Sequence, residues 1–351
     1  MDKPWWNRSE FSGRRQNLVV RSQVLAEIRR YFADSGFIEI ETPALQVSPG
    51  LDRHTQPLKT VLTGPFEAQP QHRYLHTSPE FAMKKLLAAG EAKIFQICHV
   101  FRDGEDSKIH HPEFTLLEWY RAGKDYTALM ADIEGLLEGV AKTAGTKGFQ
   151  GGVVSCEAPL AWSRMTIAEA FRQLADIDVA GTIDDPVNPS GKALVAEAQR
   201  IDVRCNPEDS WDDVFHKILL EKVEPHLANQ PCIFLTDYPT PVGALARRTS
   251  SDPRFCERVE AYVCGMELAN GYSELTDAVE QRTRFERDRA LHASLYGDPP
   301  PIDEDFLAAL ADVPPSAGMA LGIDRLVMLL TGAEHIRDVL WAPVDMSKGE
   351  G

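Results

Sequence analysis

Two apolar segments, RFCERVEAYVCG (254–265) and MELANG (266–271), read as strands that meet at a glycine turn and pair back on each other. The second opens GMELANGYSELTDAVEQ (265–281), which holds Glu267, Glu274, Asp277 and Glu280 and neither Lys nor Arg. Its first half is otherwise small or apolar, the composition of an interior. A buried carboxylate is costly unless something neutralises it, so either this piece is solvated or its partners come from outside it. Glu260 and Glu267 flank the Cys264–Gly265 turn, and a tight hairpin sets them across from each other. There they both face solvent, or a divalent cation or an ammonium sits between them. Asp277 and Glu280 fall on the following helix and read as a solvated face.

The rest of the chain sets long strands among helices without a regular βαβ alternation. Residues 18–36 show helical spacing and stop at Gly36; FIEIETPAL (37–45) alternates as a strand up to Pro43. SPEFAMKKLLAAG (78–90) reads as a helix with Ser78 as N-cap. KIFQICHVFR (93–102) and EFTLLEWYRA (113–122) read as strands, the Gly-rich 142–160 region as an exposed hairpin or loop, and 166–230 as helices and loops. PCIFLTDYP is a strand, LTDAVEQRTRFERDRALH a polar helix, and GMALGIDRLVMLLTGA a Gly-rich turn running into an apolar helix. This mixture is α+β.

No Walker or GxGxxG loop is present. The six cysteines form no CxxC pair, so packed, reduced thiols are expected. A formal charge of −16 argues against a large nucleic-acid surface. Residues 1–30 carry seven basic and three acidic residues, read first as a solvated helix face and second as a docking surface. No apolar run approaches a membrane span, and the N-terminus has no apolar signal region, which points to a cytoplasmic protein with no membrane partner.

Two more segments carry chemistry. In VFRDGEDSKIHHPEFTLLEWY (100–120), Arg102 leaves one strand, and Phe114, Glu118 and Tyr120 lie on the next. A guanidinium beside an aromatic ring grips a nucleotide, although a strand Arg is more often a surface ion pair. In GMALGIDRLVML (318–329), glycines allow close approach of a ligand to backbone, and Arg325 either serves that ligand or is a buried Arg satisfied by carboxylates.

Taken together, these pieces resemble the signature motifs of the class II aminoacyl-tRNA synthetases. The helix–strand–Pro43 segment resembles motif 1, the dimer interface; FRDGEDSKIHHPEF resembles motif 2; GMALGIDR resembles motif 3. The flanks TSPE, EFTLLEWY, ELANGYSEL and GIDRLVML are similar to the lysine branch, and the likeness runs from about Leu18 to about Val344. It implies a catalytic domain over 18–351, mainly antiparallel sheet flanked by helices, after an N-terminal arm at 1–17. A bacterial lysyl-tRNA synthetase carries an anticodon-binding OB-fold before motif 1, where only 17 residues precede Leu18 here. The resemblance therefore falls closest to the synthetase paralogues that modify elongation factor P. It implies a homodimeric ligase with no stable tRNA binding. Such an enzyme activates (R)-β-lysine or lysine with ATP and Mg²⁺, then passes the acyl group to a lysine of elongation factor P. The rival readings are a truncated lysyl-tRNA synthetase and a non-catalytic paralogue.

The same resemblance implies residue roles. Arg102, with Asp103 and Gly104 behind it, would hold the α-phosphate. Arg325 would hold the γ-phosphate, Phe114 would stack on adenine, and His110 would reach the terminal phosphates. Leu268 and Gly322 would line the nucleotide through main chain, and Glu260 and Glu267 would bind Mg²⁺. Glu118, Tyr120 and Glu274 would take the substrate's side-chain ammonium. Glu80, from the Ser78–Pro79–Glu80 turn, would face the other amine beside Asn270. The sequence departs from the synthetase pattern at Gly104, usually Glu, with Glu105 next to it. It departs again at His111, often Asn, and at Ala320, which is Gly in lysyl-tRNA synthetases and adds a methyl beside the amino acid.

Overall fold

The computed structural model describes residues 4–51, 55–64, 69–152 and 154–344. The ends of the expected arm and domain, 1–3 and 345–351, and Val153 of the Gly-rich region lie outside the described residues. The hairpin at Cys264–Gly265 sits inside an eight-stranded sheet. Its strands are β1 (Ile38–Glu39), β2 (Lys93–Phe101), β3 (Glu113–Ala122), β4 (Ser163–Thr166), β5 (Cys232–Pro239), β6 (Phe255–Val263), β7 (Met266–Ser273) and β8 (Ser316–Gly322). Their order is β1-β2-β3-β8-β7-β6-β5-β4, antiparallel except for the parallel end pairs β1/β2 and β5/β4.

Side chains alternate across the strands and so divide the sheet into a core face and a cleft face. Leu117, Trp119, Ala269, Met319 and Leu321 turn to the core. There they meet α1 (Arg8–Asp34), α3 (Tyr126–Thr143) and α5 (Ile323–Thr331). Glu118, Tyr120, Asn270 and Ala320 turn to the other side, toward α2 (Glu80–Ala88) and α4 (Ala278–Tyr296). Helices between residues 167 and 227 form a separate core against β5 and β6.

Several expectations change here for identifiable reasons. The first helix begins at Arg8, ten residues earlier than its apolar spacing suggests, with Asn7 accepting from the Ser9 amide at 3.0 Å. Arg14 in this stretch leaves solvent and donates to the carbonyls of Arg337 (3.1 Å), Leu340 and Trp341 (3.0 Å). The basic N-terminal residues are therefore only partly a solvated face. The strand expected over 37–45 is interrupted: Ile38–Glu39 pairs with β2 and Leu45 with Leu75, while between them Thr42 turns its amide and hydroxyl to the Gln96 side chain at 3.1 and 2.9 Å rather than to the β2 main chain. The Gly-rich region does form a hairpin, Gly148–Gly151 with Val154–Glu157, but Phe149 is buried in the main core and the hairpin rests on α5.

GMALG is strand rather than turn. It lies at the centre of the sheet, with Ala320 opposite both Glu118 and Asn270. Small residues are needed there: a Cβ on Gly318 would lie 2.2 Å from the Tyr120 ring and 2.7 Å from a Glu274 oxygen. Asp277 and Glu280 are also less bland than expected. Asp277 caps α4 by accepting the amides of Val279 (2.9 Å) and Glu280 (3.0 Å), while Glu280 pairs with Arg248 and Arg284.

One buried triad ties α1, β3 and α5 together. Arg21 donates to Asp324 at 2.5 Å and to the Thr115 hydroxyl at 2.6 Å, and the Thr115 amide donates to the other Asp324 oxygen at 2.7 Å. Removing one partner leaves a buried charge without its counter-ion. Arg21→Met is expected to lose about 3–5 kcal/mol of stability in urea unfolding. An Arg21→Met/Asp324→Leu double variant should recover part of it; additive losses would contradict this coupling.

Candidate active site

The cleft face opens into two joined chambers. The inner one, about 150 Å³, is lined by Ser78, Glu80, Glu118, Tyr120, Tyr272 and Gly318. The outer one, about 270 Å³, is lined by Glu105, His110, Phe114, Glu267, Leu268, Gly322 and Arg325. Arg102, Asn270 and Ala320 border both. Most of the residues singled out in the sequence therefore meet in one place, although three strands, two loops and two helices contribute them.

In the outer chamber the Arg102 guanidinium lies 5.1 Å from the Phe114 ring centre. Arg325, in the first turn of α5, donates to the Glu267 carbonyl at 2.7 Å and to its carboxylate at 3.4 Å. Its other nitrogen is 2.7 Å from His110 Nε2. Arg is a donor only, so His110 accepts at Nε2 and carries its proton on Nδ1, 2.8 Å from the Ser107 hydroxyl. Burial, and next the Arg325 charge, hold His110 below the usual imidazole range, which keeps the ring neutral. Asp103 and Gly104 are exposed and do not line the cleft: Gly104 adopts φ +76° and turns the chain outward, so Glu105 borders the chamber in their stead. His111 borders it too, but its ring is already engaged. Nδ1 donates to the Glu113 carbonyl at 2.6 Å, and Nε2 accepts from the Val344 amide at 3.2 Å.

The two hairpin carboxylates are offset rather than opposed. Across the two-residue turn Glu267 pairs with Tyr262 and so does not stand opposite Glu260, and a register slip between Ala261 and Tyr262 sets Glu260 opposite Asn270. Both lie on one face, but that face is not free of basic groups. Arg258, two residues before Glu260, donates to it at 2.7 Å, and the Tyr238 and Tyr262 hydroxyls take the other oxygen at 2.5 and 2.9 Å. Arg258 also reaches Asn270 Oδ1 at 3.1 Å, joining the two chambers. Glu267 keeps 42% of its side chain exposed. The protein packed around it, and next the Glu260 charge, push its carboxyl above the ordinary range. Among the described residues, no group of three or more His, Cys, Asp or Glu forms a metal cage. One accessible carboxylate beside a largely satisfied one suits Mg²⁺, which takes one or two carboxylates and completes its shell with phosphate and water.

The inner chamber holds a buried excess of carboxyl groups over cations. Glu118 accepts from the Ser78 hydroxyl and from Tyr120 at 3.2 Å. Ser78 also accepts the Glu80 amide at 3.0 Å, while Pro79 occupies the N-cap position expected for Ser78. Burial, followed by the Glu80 charge, pushes the Glu118 carboxyl up to about 8. Glu274 finds its partner outside its own segment, and that partner is a residue of the chain rather than the substrate ammonium that the resemblance implies. It is ion-paired with Lys84, fully buried, which also holds Glu80 at 2.6 Å. Glu274 does not line the inner chamber; it stands behind Tyr120 and Gly318. Burial pushes it up to about 8 even against the Lys84 charge. Burial alone would discharge Lys84, but Glu274 and Glu80 outweigh it and raise its pKa. The sequence did contain a signal for Lys84: Glu80 and Lys84 stand at the i,i+4 spacing of a helical ion pair, Glu first.

The model of the family described as "tRNA synthetases class II (D, K and N)" matches residues 8–345. The chain belongs to this family. Among the class II synthetases it is similar to three curated relatives that all carry the name elongation factor P–(R)-beta-lysine ligase. That of Haemophilus ducreyi is 38% identical over 326 residues, 93% of each chain. That of Proteus mirabilis is 39% identical over 331 residues, 93% of this chain and 95% of its own. That of Edwardsiella ictaluri is 38% identical over 332 residues, 94% and 95%. The expected α+β synthetase fold with a mainly antiparallel sheet is thereby established. Among the described residues, no helix is long and apolar enough to cross a membrane.

The raised Glu118 carboxyl has a consequence for stability. Its folded value of about 8 lies above the ordinary 4.5, so below pH 4.5 it is protonated in both states and costs nothing. Between there and pH 8 only the unfolded chain ionises, and stability falls by about 1.4 kcal/mol per pH unit, or about 3 kcal/mol at pH 7. Glu118→Gln is expected to unfold at higher denaturant than wild type at pH 7 and at the same denaturant near pH 4.5. Equal midpoints at both pH values would show that Glu118 is ionised in the folded protein.

Proposed function

We propose that this class II synthetase-family enzyme uses ATP to activate a lysine-like diamino acid, (R)-β-lysine or lysine, and transfers the acyl group to a lysine ε-amine of elongation factor P. The observation that carries this reading is the junction at Arg102: a buried, carboxylate-rich chamber opens there into an arginine-bordered one. The names of the curated relatives support the same substrate and partner.

In the inner chamber, Glu118 and Tyr120, with Glu80 and Asn270, receive the two ammonium groups; Glu274 acts through Lys84 and Tyr120. Charge-assisted hydrogen bonds of this kind are strong. A neutral side chain would leave Glu118 protonated and forgo the charge-assisted bond, which discriminates against monoamino acids. The substrate carboxylate then points at the junction, where Arg102 holds the α-phosphate. Attack of that carboxylate oxygen on the α-phosphorus breaks the bond to pyrophosphate. Arg325, held by Glu267 and His110, neutralises the departing phosphates, and Phe114 stacks on adenine. Glu267, with Glu260 behind it, would hold Mg²⁺, which when bound would supply charge neutralisation to the phosphates. Positioning and charge neutralisation account for this step without a general base. In the second step the ε-amine of the target lysine attacks the acyl carbonyl, and AMP leaves.

The chain acts in this reading as a cytoplasmic homodimer. Ile38, Leu45 and Val47 leave apolar side chains exposed along the stretch that resembles motif 1, and the described cysteines are free thiols.

The test is intact-mass measurement of elongation factor P after incubation with the enzyme, ATP, Mg²⁺ and either lysine isomer, with a parallel arm containing tRNA. A mass gain of one lysyl group on elongation factor P is expected, abolished by Arg102→Ala. Acylated tRNA beside unmodified elongation factor P would overturn the reading in favour of a tRNA-charging enzyme.

A further inference from the structure

Cys156 and Cys264 are 108 residues apart, yet their sulfurs stand 3.3 Å from each other, thiol to thiol. Neither residue lines either chamber of the cleft. Cys264 sits at the first position of the two-residue turn between β6 and β7. It adopts φ +48°, followed by Gly265 at +76°. Hairpin turns with two positive φ values favour Asn-Gly, Asp-Gly or Gly-Gly, and a cysteine there is an outlier that invites a functional explanation. The turn is also crowded from outside. Gly151 of the 148–157 hairpin packs so close that a Cβ on it would lie 2.8 Å from the Cys264 Cβ, and the Cys264 thiol also points at the Phe149 carbonyl at 3.6 Å. Phe149 is the register partner of Cys156. The hairpin thus presents one sulfur to the other across a packed contact.

We propose that Cys156 and Cys264 form a site of reversible thiol–disulfide exchange that takes a low-molecular-weight disulfide as oxidant. Cys156 is half-buried and within reach of such a molecule, whereas Cys264 is buried. The contact with Cys264, the larger influence on it, holds the Cys156 thiol below the usual range, and the same contact together with burial pushes Cys264 up. This division suits an attacking and a resolving cysteine. The Cys156 thiolate attacks one sulfur of the small disulfide, which leaves a mixed disulfide and expels one thiolate. The expelled thiolate takes the Cys264 proton. The Cys264 sulfur then attacks the Cys156 sulfur and expels the second thiolate, which is protonated from solvent. Two protein thiols and one small disulfide become one protein disulfide and two small thiols. Closure needs the sulfurs to approach by about 1 Å to reach disulfide length. It staples the hairpin to the turn that leads within three residues to Glu267. Cys232 is the competing thiol: it lies beside this turn, in register with Val263, but its sulfur is turned to the Ala161 carbonyl at 3.2 Å.

The test uses the full chain treated with oxidised glutathione, followed by alkylation of remaining thiols, intact mass and peptide mapping. Wild type and Cys232→Ser should each lose two alkylation sites and yield a Cys156–Cys264 linked peptide, restored to free thiols by dithiothreitol. Cys264→Ser should stop at a glutathione adduct on Cys156. In reducing buffer Cys156→Ser and Cys264→Ser should keep the wild-type circular dichroism and unfolding midpoint, which separates loss of the site from misfolding. The proposal is overturned if Cys156 and Cys264 stay alkylatable, if glutathione remains on Cys156 in wild type, or if the linked pair contains Cys232.

Discussion

Lys84 is the interaction on which the inner chamber depends. It lies with no exposed surface between Glu80 and Glu274, with the rings of Tyr272 and Phe306 at 5.8 and 6.0 Å. Without it, three carboxylates would share one desolvated pocket, and like charges in such a place do not ionise together. With it, α2 is fastened to the end of β7, Glu80 is held at the chamber wall, and Glu118 remains as the carboxyl without an internal cation. Three carboxylates against one ammonium leave two negative charges to develop, the number a diamino acid neutralises.

The sheet turns that charge pattern into a catalytic geometry. Because side chains alternate along each strand, Glu118 and Tyr120 face the cleft while Leu117 and Trp119 pack the core. Ala320, opposite both Glu118 and Asn270, keeps the floor of the cleft low between them. The Arg21–Asp324 triad sets α5 on the core face, and Arg325, the next residue, is thereby aimed at Glu267 and His110. In the proposed reading, stability and function press against each other at Glu118, whose buried carboxyl weakens the fold at neutral pH and would serve a cationic ligand. Such trade-offs are usual at functional sites.

Much of this was legible in the sequence where a residue's role follows from local pattern. The strands 113–122 and 255–273 and the α2 helix follow from periodicity, and the clustering of Arg102, Phe114, Glu118, Asn270 and Arg325 is what the resemblance to the class II motifs implies. What was not legible depends on distant partners. Periodicity within GMALG suggests a turn, because the sequence does not show that the Tyr120 ring and Glu274 fill the space above Gly318. The segment around Glu274 calls for a partner from elsewhere without saying which, and Lys84 stands 190 positions away. Arg258 escaped for a related reason, since two cross-strand carboxylates draw attention before the guanidinium on the same strand face. A one-residue slip in register also sets Glu260 opposite Asn270 rather than Ala269, and no local feature announces it.

The central claim is that the inner chamber binds two ammonium groups by ionising buried carboxyls. Calorimetric titration of the enzyme at pH 7 with (R)-β-lysine, in buffers of differing ionisation enthalpy, tests it most directly. At least one proton should be released per ligand bound, with no release for norleucine. A binding enthalpy independent of buffer would contradict the account.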